Sequence, residues 1–318
     1  MQLFARCLIA AAFAFAFAPL VWAQAWPAKP IRLIVSLPPG TVPDVVARIY
    51  APGLGEALGQ PVLVENRAGA AGNIGVELVA RSAPDGYTLL NVGGNAIVIN
   101  PHLYKLDVAK DLEPVAPTTR ISALLVVRPG LPVHSVAELI AHVRTNSGKL
   151  NFGTGGSGTT AHLAAEMLLR AAKIQATHVP YSGAAQMLTA MLGDQIDFAF
   201  EPGGAMPHIK SGKLRLLAVA SAARSPFFPE TPTMAEVGVD VNTSIVNGVF
   251  APPGTPREIV SRLNREIGRI MQTAESRAAI AAISAELVTA SPEEFAALMR
   301  RDRERFGAMV REANVRVD

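Results

Sequence analysis

The sequence predicts an α/β fold built on two doubly wound sheets. Short apolar runs, typical of strands buried on both faces, alternate with amphipathic helical segments. This alternation gives two successive βαβαβ blocks, which is the pattern of doubly wound sheets. The chain has 318 residues, of which 50% are hydrophobic and 17% charged, so it can bury a large core in two domains.

The first 23 residues predict a cleaved signal peptide. Arg6 precedes the apolar run Leu8–Val21, and Val21-Trp22-Ala23 fits a small-residue cleavage site. An uncleaved anchor is the alternative, but the run is short for a spanning helix. The only cysteine, Cys7, lies in this leader, so the mature chain is expected to lack disulfides and thiolate sites. We therefore expect an exported protein.

Composition argues against several classes of function. The net charge is only +3, and no dense Lys/Arg cluster interleaves with aromatic residues, so nucleic acid is not an expected partner. The six histidines are scattered without H-E-x-x-H or a comparable spacing, so no metal site is expected.

The first block opens with the strand Ile31–Leu37 and a turn at Pro38-Pro39-Gly40. Thr41 and Asp44 form a Thr-x-x-Asp pattern, typical of a capping box, before the helix Val45–Leu58. The unpaired N–H groups at such a helix start bind anions, carboxylates included. Asp44 is read either as the cap partner of Thr41 or as a charge that faces a ligand.

The rest of the first block places further loops at the carboxyl ends of its strands, where such sheets bind ligands. A strand at Pro61–Glu65, a helix at Ile74–Ser82 and a strand at Thr88–Val92 are predicted, and Gly93-Gly94-Asn95 follows the last strand. Gly94 and Asn95 are therefore candidate ligand contacts.

The second block and the C-terminal region are predicted in the same way. Their strands are Ser122–Arg128, Lys149–Phe152, Thr177–Val179, Gln195–Phe200, Leu214–Ala220 and Asn247–Phe250, and their helices are Ser135–Asn146, a helix ending at Ala172, Ala184–Leu192, Arg257–Gln272, Ser276–Ile283 and Pro292–Ala313.

The glycine-rich loop after the second of these strands has two interpretations that involve a ligand. Gly153, Gly155 and Gly158 match G-x-G-x-x-G, but the ribose-binding acid expected about 20 residues later is absent, which argues against a dinucleotide. A second helix start, with the hydroxyls of Thr154, Ser157 and Thr159 facing a small anion, fits better. A tight turn that only caps its own helix is the alternative.

The same loop does not predict catalysis. G-x-S-x-G begins at Gly155, but Thr159 replaces its closing glycine, and no acid is placed to orient His162. We expect no catalytic residue and no cofactor, and we read His162 as a pocket wall. Tyr181 and Glu201 follow strands, where pockets form, although a structural role is equally open for each.

Seven segments in order carry a resemblance to a known family. They are Trp26–Val35, Val64–Gly75, Pro84–Leu90, Asn100–Tyr104, His178–Gly183, Pro232–Gly238 and Ala251–Pro256. With them the chain resembles the Bug (TctC-like) family, the extracytoplasmic solute receptors of tripartite tricarboxylate transporters.

The resemblance implies a two-lobed periplasmic binding protein of type II topology, a Venus flytrap that is not an enzyme. Lobe 1 would comprise residues 24–122 and 246–318, and lobe 2 residues 123–245. A small carboxylate would bind between the lobes and pass to the permease subunits of the transporter. A sensor role, read by a membrane kinase, is the alternative.

The predicted ligand contacts combine this resemblance with the residues themselves. Lobe 1 contributes Leu37, Pro38, Gly40, Thr41, Asp44, Gly94 and Asn95, and lobe 2 contributes Thr154, Gly156, Ser157, Thr159, His162, Tyr181, Gly183 and Glu201.

The chain departs from the family pattern at three places. Thr41, Val42 and Pro43 follow Gly40 where the family has a second glycine and a threonine before the aspartate. Thr154 replaces a serine and keeps the hydroxyl, and Val246 replaces a tryptophan, which is expected to widen the pocket or change its lining. The identity of the ligand is therefore not carried over from relatives.

Overall fold

The computed structural model describes residues 26–104 and 111–315, so the predicted signal peptide lies outside the described residues. The strands are β1 Ile31–Val35, β2 Val62–Asn66, β3 Thr88–Val92, β4 Glu113–Ile121, β5 Ala123–Val127, β6 Asn151–Thr154, β7 Thr177–Pro180, β8 Phe198–Glu201, β9 Arg215–Ala220, β10 Ile245–Ala251 and β11 Glu286–Leu287. The helices are α1 Val42–Leu58, α2 Asn73–Ala80, α3 Gly94–Val98, α4 Asn100–Leu103, α5 Val136–Thr145, α6 Thr160–Ala172, α7 Ala184–Leu192, α8 Met206–Lys210, α9 Arg257–Met271, α10 Ala274–Ala282 and α11 Pro292–Ala313.

The described strands form two sheets with the same internal order. Sheet 1 runs β11-β4-β10-β3-β1-β2 and sheet 2 runs β7-β6-β8-β5-β9. In each sheet three parallel strands are followed by an antiparallel strand, β10 in sheet 1 and β5 in sheet 2. The expected two-lobed α/β architecture is confirmed, with mixed rather than all-parallel sheets.

The strand register places the crossovers between the lobes beside the carboxyl ends of the parallel strands. The first crossover is Ser122, between β4 and β5, and the second is the segment 221–244, between β9 and β10. Gly248 pairs with Val92 at the end of β3, and Leu124 pairs with Glu201 at the end of β8. The carboxyl ends of the parallel strands of both sheets, where such sheets usually bind ligands, therefore turn towards the junction of the lobes. The predicted lobe boundaries remain a prediction; β10 begins at Ile245, one residue before the predicted one.

Helices cover both faces of sheet 1 and close its core. Tyr50 and Leu263 are fully buried on one face, where α1 and α9 pack. Phe295 and Phe306 of α11 are fully buried on the other face, and Phe295 contacts Phe250 of β10 with ring centroids 5.1 Å apart. No helix among residues 26–104 and 111–315 is both long and apolar enough to cross a membrane.

Prolines account for one difference from the sequence prediction. Strand β4 was not predicted because Pro114 and Pro117 interrupt it; the β10 pairing shifts register next to both residues, which accommodates the missing N–H donors. Pro52 lies inside α1, yet the helix continues to Leu58 and ends at Gly59 with φ +73°, as expected of a left-handed C′ residue.

Candidate ligand-binding site

The turn between β1 and α1 satisfies much of its own hydrogen bonding. Thr41 is the N-cap, but its hydroxyl donates to the carbonyl of Pro38 at 2.7 Å and makes no cap bond, so the predicted capping box is wrong. The hydroxyl is held by a carbonyl of the turn, and the short Asp44 side chain instead accepts the N–H of Gly40 at 2.9 Å. Gly40 has φ +81°, a conformation that glycine adopts without strain.

Asp44 is a buried ion-pair partner, with 3% of the residue exposed. Its carboxylate accepts hydrogen bonds from Arg48 at 3.0 Å and from Asn66 at 2.8 Å. Burial alone would raise the pKa of Asp44, but the bonds from Arg48, Gly40 and Asn66 together lower it. The carboxylate is ionised and committed to this turn, so the backbone provides the remaining donors here. Among the described residues the N–H groups of Val42 and Asp44 have no recorded partner.

The β3–α3 turn lies beside the first turn and is tightly packed. The N–H of Gly94 donates to Oδ1 of the buried Asn247 at 3.1 Å, and the amide of Asn247 donates to Thr119. The N–H of Gly94 is therefore already paired. The side chain of the half-buried Asn95 has no recorded hydrogen bond in the described part of the chain.

A loop that sequence reasoning did not include borders this wall. Gly69, Ala70, Ala71 and Gly72, after β2, all have positive φ. The hydroxyl of Ser36, fully buried at the end of β1, lies under Gly72 without a hydrogen-bond partner in the described structure. The density of Gly, Ala and Asn in residues 66–73 was the available signal.

The β6–α6 loop builds the second wall and holds itself together through two threonines. Thr154 is fully buried; its hydroxyl lies 3.1 Å from the carbonyl of Gly156 and 2.7 Å from Nε2 of His178. Thr159 is the N-cap of α6, accepting from the N–H of His162 at 3.3 Å and donating to Gly156 at 2.8 Å. These two hydroxyls organise the loop, which agrees with the alternative reading of a self-capping turn.

Other groups of the second wall remain unpaired. Ser157 is exposed, and no hydrogen bond is recorded within the described residues for its hydroxyl or for the N–H groups of Thr160 and Ala161. The N–H of Tyr181 donates to the carbonyl of Thr154 at 2.9 Å, which brings the Tyr181–Gly183 turn beside this loop. The phenol of Tyr181 is half-buried and likewise has no recorded partner.

Glu201 fills an anion-binding turn of its own. It is 1% exposed, and its carboxylate accepts the N–H groups of Gly203 at 2.7 Å, Gly204 at 3.0 Å and Ala205 at 2.8 Å. Burial raises the pKa of Glu201, against the lowering effect of these three bonds. In this arrangement its carboxylate is occupied by its own loop.

His162 has no recorded contact with the Ser157 hydroxyl. Its Nδ1 accepts the N–H of Gly158 at 3.1 Å, and its Nε2 lies 3.6 Å from Glu166. No cluster of three His, Cys, Asp or Glu side chains suited to a metal ion occurs in the described ranges.

Val246 is 2% exposed and belongs to a lobe 1 core cluster that also includes Leu163 of α6. Its side chain is therefore part of the packing between α6 and lobe 1. A second contact joins the lobes where the hydroxyl of Ser284 donates to the carbonyl of Gly203 at 3.3 Å.

Comparison with known proteins decides the family. Residues 46–315 match the model of the tripartite tricarboxylate transporter family receptor, TctC. The chain belongs to this receptor family. BugT of Bordetella pertussis strain Tohama I is 37% identical over 93% of each chain.

Solved structures of similar sequence share the fold of this receptor over about nine-tenths of its chain. An R. palustris protein solved with adipate is 32% identical, with a TM-score of 0.85 over 92% of this chain and 99% of that one. MatC from Rhodopseudomonas palustris, with bound malate, is 29% identical, with a TM-score of 0.81 over 90% of this chain and 100% of its own.

Proposed function

We propose that this TctC-family protein is exported to the periplasm, captures a small carboxylate between its lobes and delivers it to the permease subunits of a tripartite tricarboxylate transporter. The observation that carries the proposal is the position of unpaired backbone N–H groups at two helix starts, one in each sheet's ligand-binding edge. The adipate and malate complexes of its relatives support the ligand class.

The donors available to a carboxylate differ between the two walls. In lobe 1 they are the N–H groups of Val42 and Asp44 and the amide of Asn95; Pro43 supplies none. In lobe 2 they are the hydroxyls of Ser157 and Tyr181 and the N–H groups that begin α6. Because α6 is a 13-residue helix with no acidic residue in its first turn, its dipole favours an anion at this end. A ligand that bridges the walls would favour the closed arrangement.

Calorimetry with malate and adipate tests the ligand class. We expect carboxylates of this kind, but not their uncharged diamides, to bind, and saturation at 100 times Kd to stabilise the fold by about 2.7 kcal/mol. Ser157→Ala should weaken binding about fivefold, the value of one hydrogen bond. Ser211→Ala, an exposed serine elsewhere in lobe 2, is the matched control. Diamides that bind as well as the acids, or a folded protein that binds no mono- or dicarboxylate, would refute the proposal.

Capture from native membranes tests delivery. The mature chain, loaded with the carboxylate that calorimetry identifies and crosslinked to membrane vesicles, should retain transporter permease subunits more strongly than the unloaded chain does. Retention of a histidine kinase instead of permease subunits would contradict delivery to a transporter and would indicate that the protein acts as a sensor.

A further inference from the structure

Two stacked imidazoles lie directly behind the loop of the second wall. The rings of His162, on α6, and His178, on β7, have centroids 4.0 Å apart and planes inclined by 16°. Phe152 of β6 packs on His178 at 4.8 Å, also inclined by 16°. His162 is only 8% exposed, so its orientation is fixed by packing.

The two rings hold the two ends of the loop. Nε2 of His178 lies 2.7 Å from the hydroxyl of Thr154, which in turn contacts both backbone groups of Gly156. Nδ1 of His162 accepts the N–H of Gly158 at 3.1 Å. Gly156 and Gly158 have φ +134° and +76°, so the loop has a backbone shape that these bonds keep in place.

The bond to Gly158 requires an unprotonated Nδ1 on His162, because only that form can accept a hydrogen. A proton on Nδ1 would bring two hydrogen-bond donors, the N–H of His162 Nδ1 and the backbone N–H of Gly158, face to face, and the contact would break. Two titratable groups face this ring in the described part of the chain, His178 and Glu166, and β6 contributes the ring of Phe152.

The imidazole of His178, which stacks on His162, is neutral. Burial, and then the proximity of His162, lowers the pKa of His178 from 6.5 to about 4, while Glu166 acts in the opposite direction. Above pH 5, His178 is therefore mostly uncharged.

We propose that His162 is a positioning residue that holds the second wall in its ligand-binding shape through Nδ1, and that protonation of this nitrogen releases Gly158 and weakens ligand binding. The functional half of this inference rests on the proposed carboxylate binding. Protonation of Nδ1 would lower the affinity of the receptor for its ligand on acidification, through a change in the protein rather than in the ligand.

NMR of the isotope-labelled mature protein tests the loop without a ligand. Between pH 7.5 and 5.0 we expect the Gly158 amide to shift with the same midpoint as the imidazole nitrogens of His162. In His162→Asn, whose side-chain oxygen can accept at the place of Nδ1 but cannot be protonated, the Gly158 amide should stay in place. A Gly158 amide that does not move while His162 titrates would overturn the proposal.

Calorimetry with malate and adipate at pH 7.5 and 5.5 tests the link to binding. For each acid, the ratio of Kd at pH 5.5 to Kd at pH 7.5 is compared between variants. This comparison cancels the titration of the ligand itself, which is the same for every variant. This ratio should be at least about fivefold smaller in His162→Asn than in the wild type. His162→Phe keeps a stacking ring but has no hydrogen-bond acceptor, so it should bind weakly at both pH values.

His134→Gln, an exposed histidine of lobe 2, is the matched control and should keep the wild-type ratio. Equal ratios in the wild type and His162→Asn would overturn the functional half. If no mono- or dicarboxylate bound at any pH, the proposed function would fail, while the NMR result would still decide the role of His162 in the loop.

Discussion

Replacing Gly94 with alanine is expected to lower the free energy of unfolding by about 3 kcal/mol, the upper part of the range for overpacked sites. A Cβ at Gly94 would lie 2.3 Å from the carbonyl oxygen of Val246 and 2.6 Å from Cγ1 of Ile245. The first of these is backbone of the central strand β10, which cannot move without disturbing its pairing with β3 and β4. The displaced residue would also lose its bond to Asn247, leaving a buried amide oxygen unpaired.

Urea denaturation of the mature protein checks this expectation. Gly268→Ala is the matched control, because Gly268 lies inside α9 and nothing lies within 4 Å of an added Cβ. That variant should be stabilised by about 0.5–1 kcal/mol. A Gly94→Ala midpoint equal to that of the wild type would contradict the packing described at this turn.

Replacing Arg305 with methionine is expected to cost about 2 kcal/mol and to loosen the junction of the lobes. Its guanidinium donates to the carbonyls of Asn242 and Ser244 at 2.6 Å each and to Asp302 at 2.9 Å. Ser244 is hydrogen-bonded through its hydroxyl to Ser122 at 2.6 Å, so one arginine of α11 fixes the point where both crossovers meet. Removal of the cation would also leave Asp302, which is 8% exposed, without its partner.

The comparison with Arg301→Met isolates this contact. Arg301 lies on the same helix and is exposed, so its replacement should change the unfolding midpoint by less than about 0.5 kcal/mol. The double variant Arg305→Met with Asp302→Leu should recover part of the loss, because no buried carboxylate then remains unpaired. Equal stability of the two single variants would show that the junction does not depend on Arg305.

The sequence predicted most elements because their signals are local. The helix Pro292–Ala313 and the strand Thr88–Val92 match the prediction residue for residue, and Ser135 caps its helix by accepting the N–H of Glu138. Strand β4 lacked such a signal, because its two prolines are tolerated only through the irregular register of a partner more than 120 residues away.

The site was harder to predict because it depends on which polar groups pair within the protein. Thr154, Glu201 and Asp44 have the residue types of ligand contacts, yet each is buried and bonded to its own loop or to a neighbouring side chain. Asn247 could not be identified as the partner of Gly94 from the sequence, since the bond spans 153 positions. Local patterns located the turns correctly, whereas three-dimensional pairing decides which of their donors remain available.

The route of the chain through the sheets sets an order of assembly during synthesis. All five strands of sheet 2 lie between residues 123 and 220, so that sheet can be completed while the C-terminal third of the chain is still to come. Sheet 1 cannot close at that stage, because β10 lies between β3 and β4 and is made after both. Until Ile245–Ala251 arrives, the strands β3 and β4 of the first-made lobe present open edges that can pair with other chains.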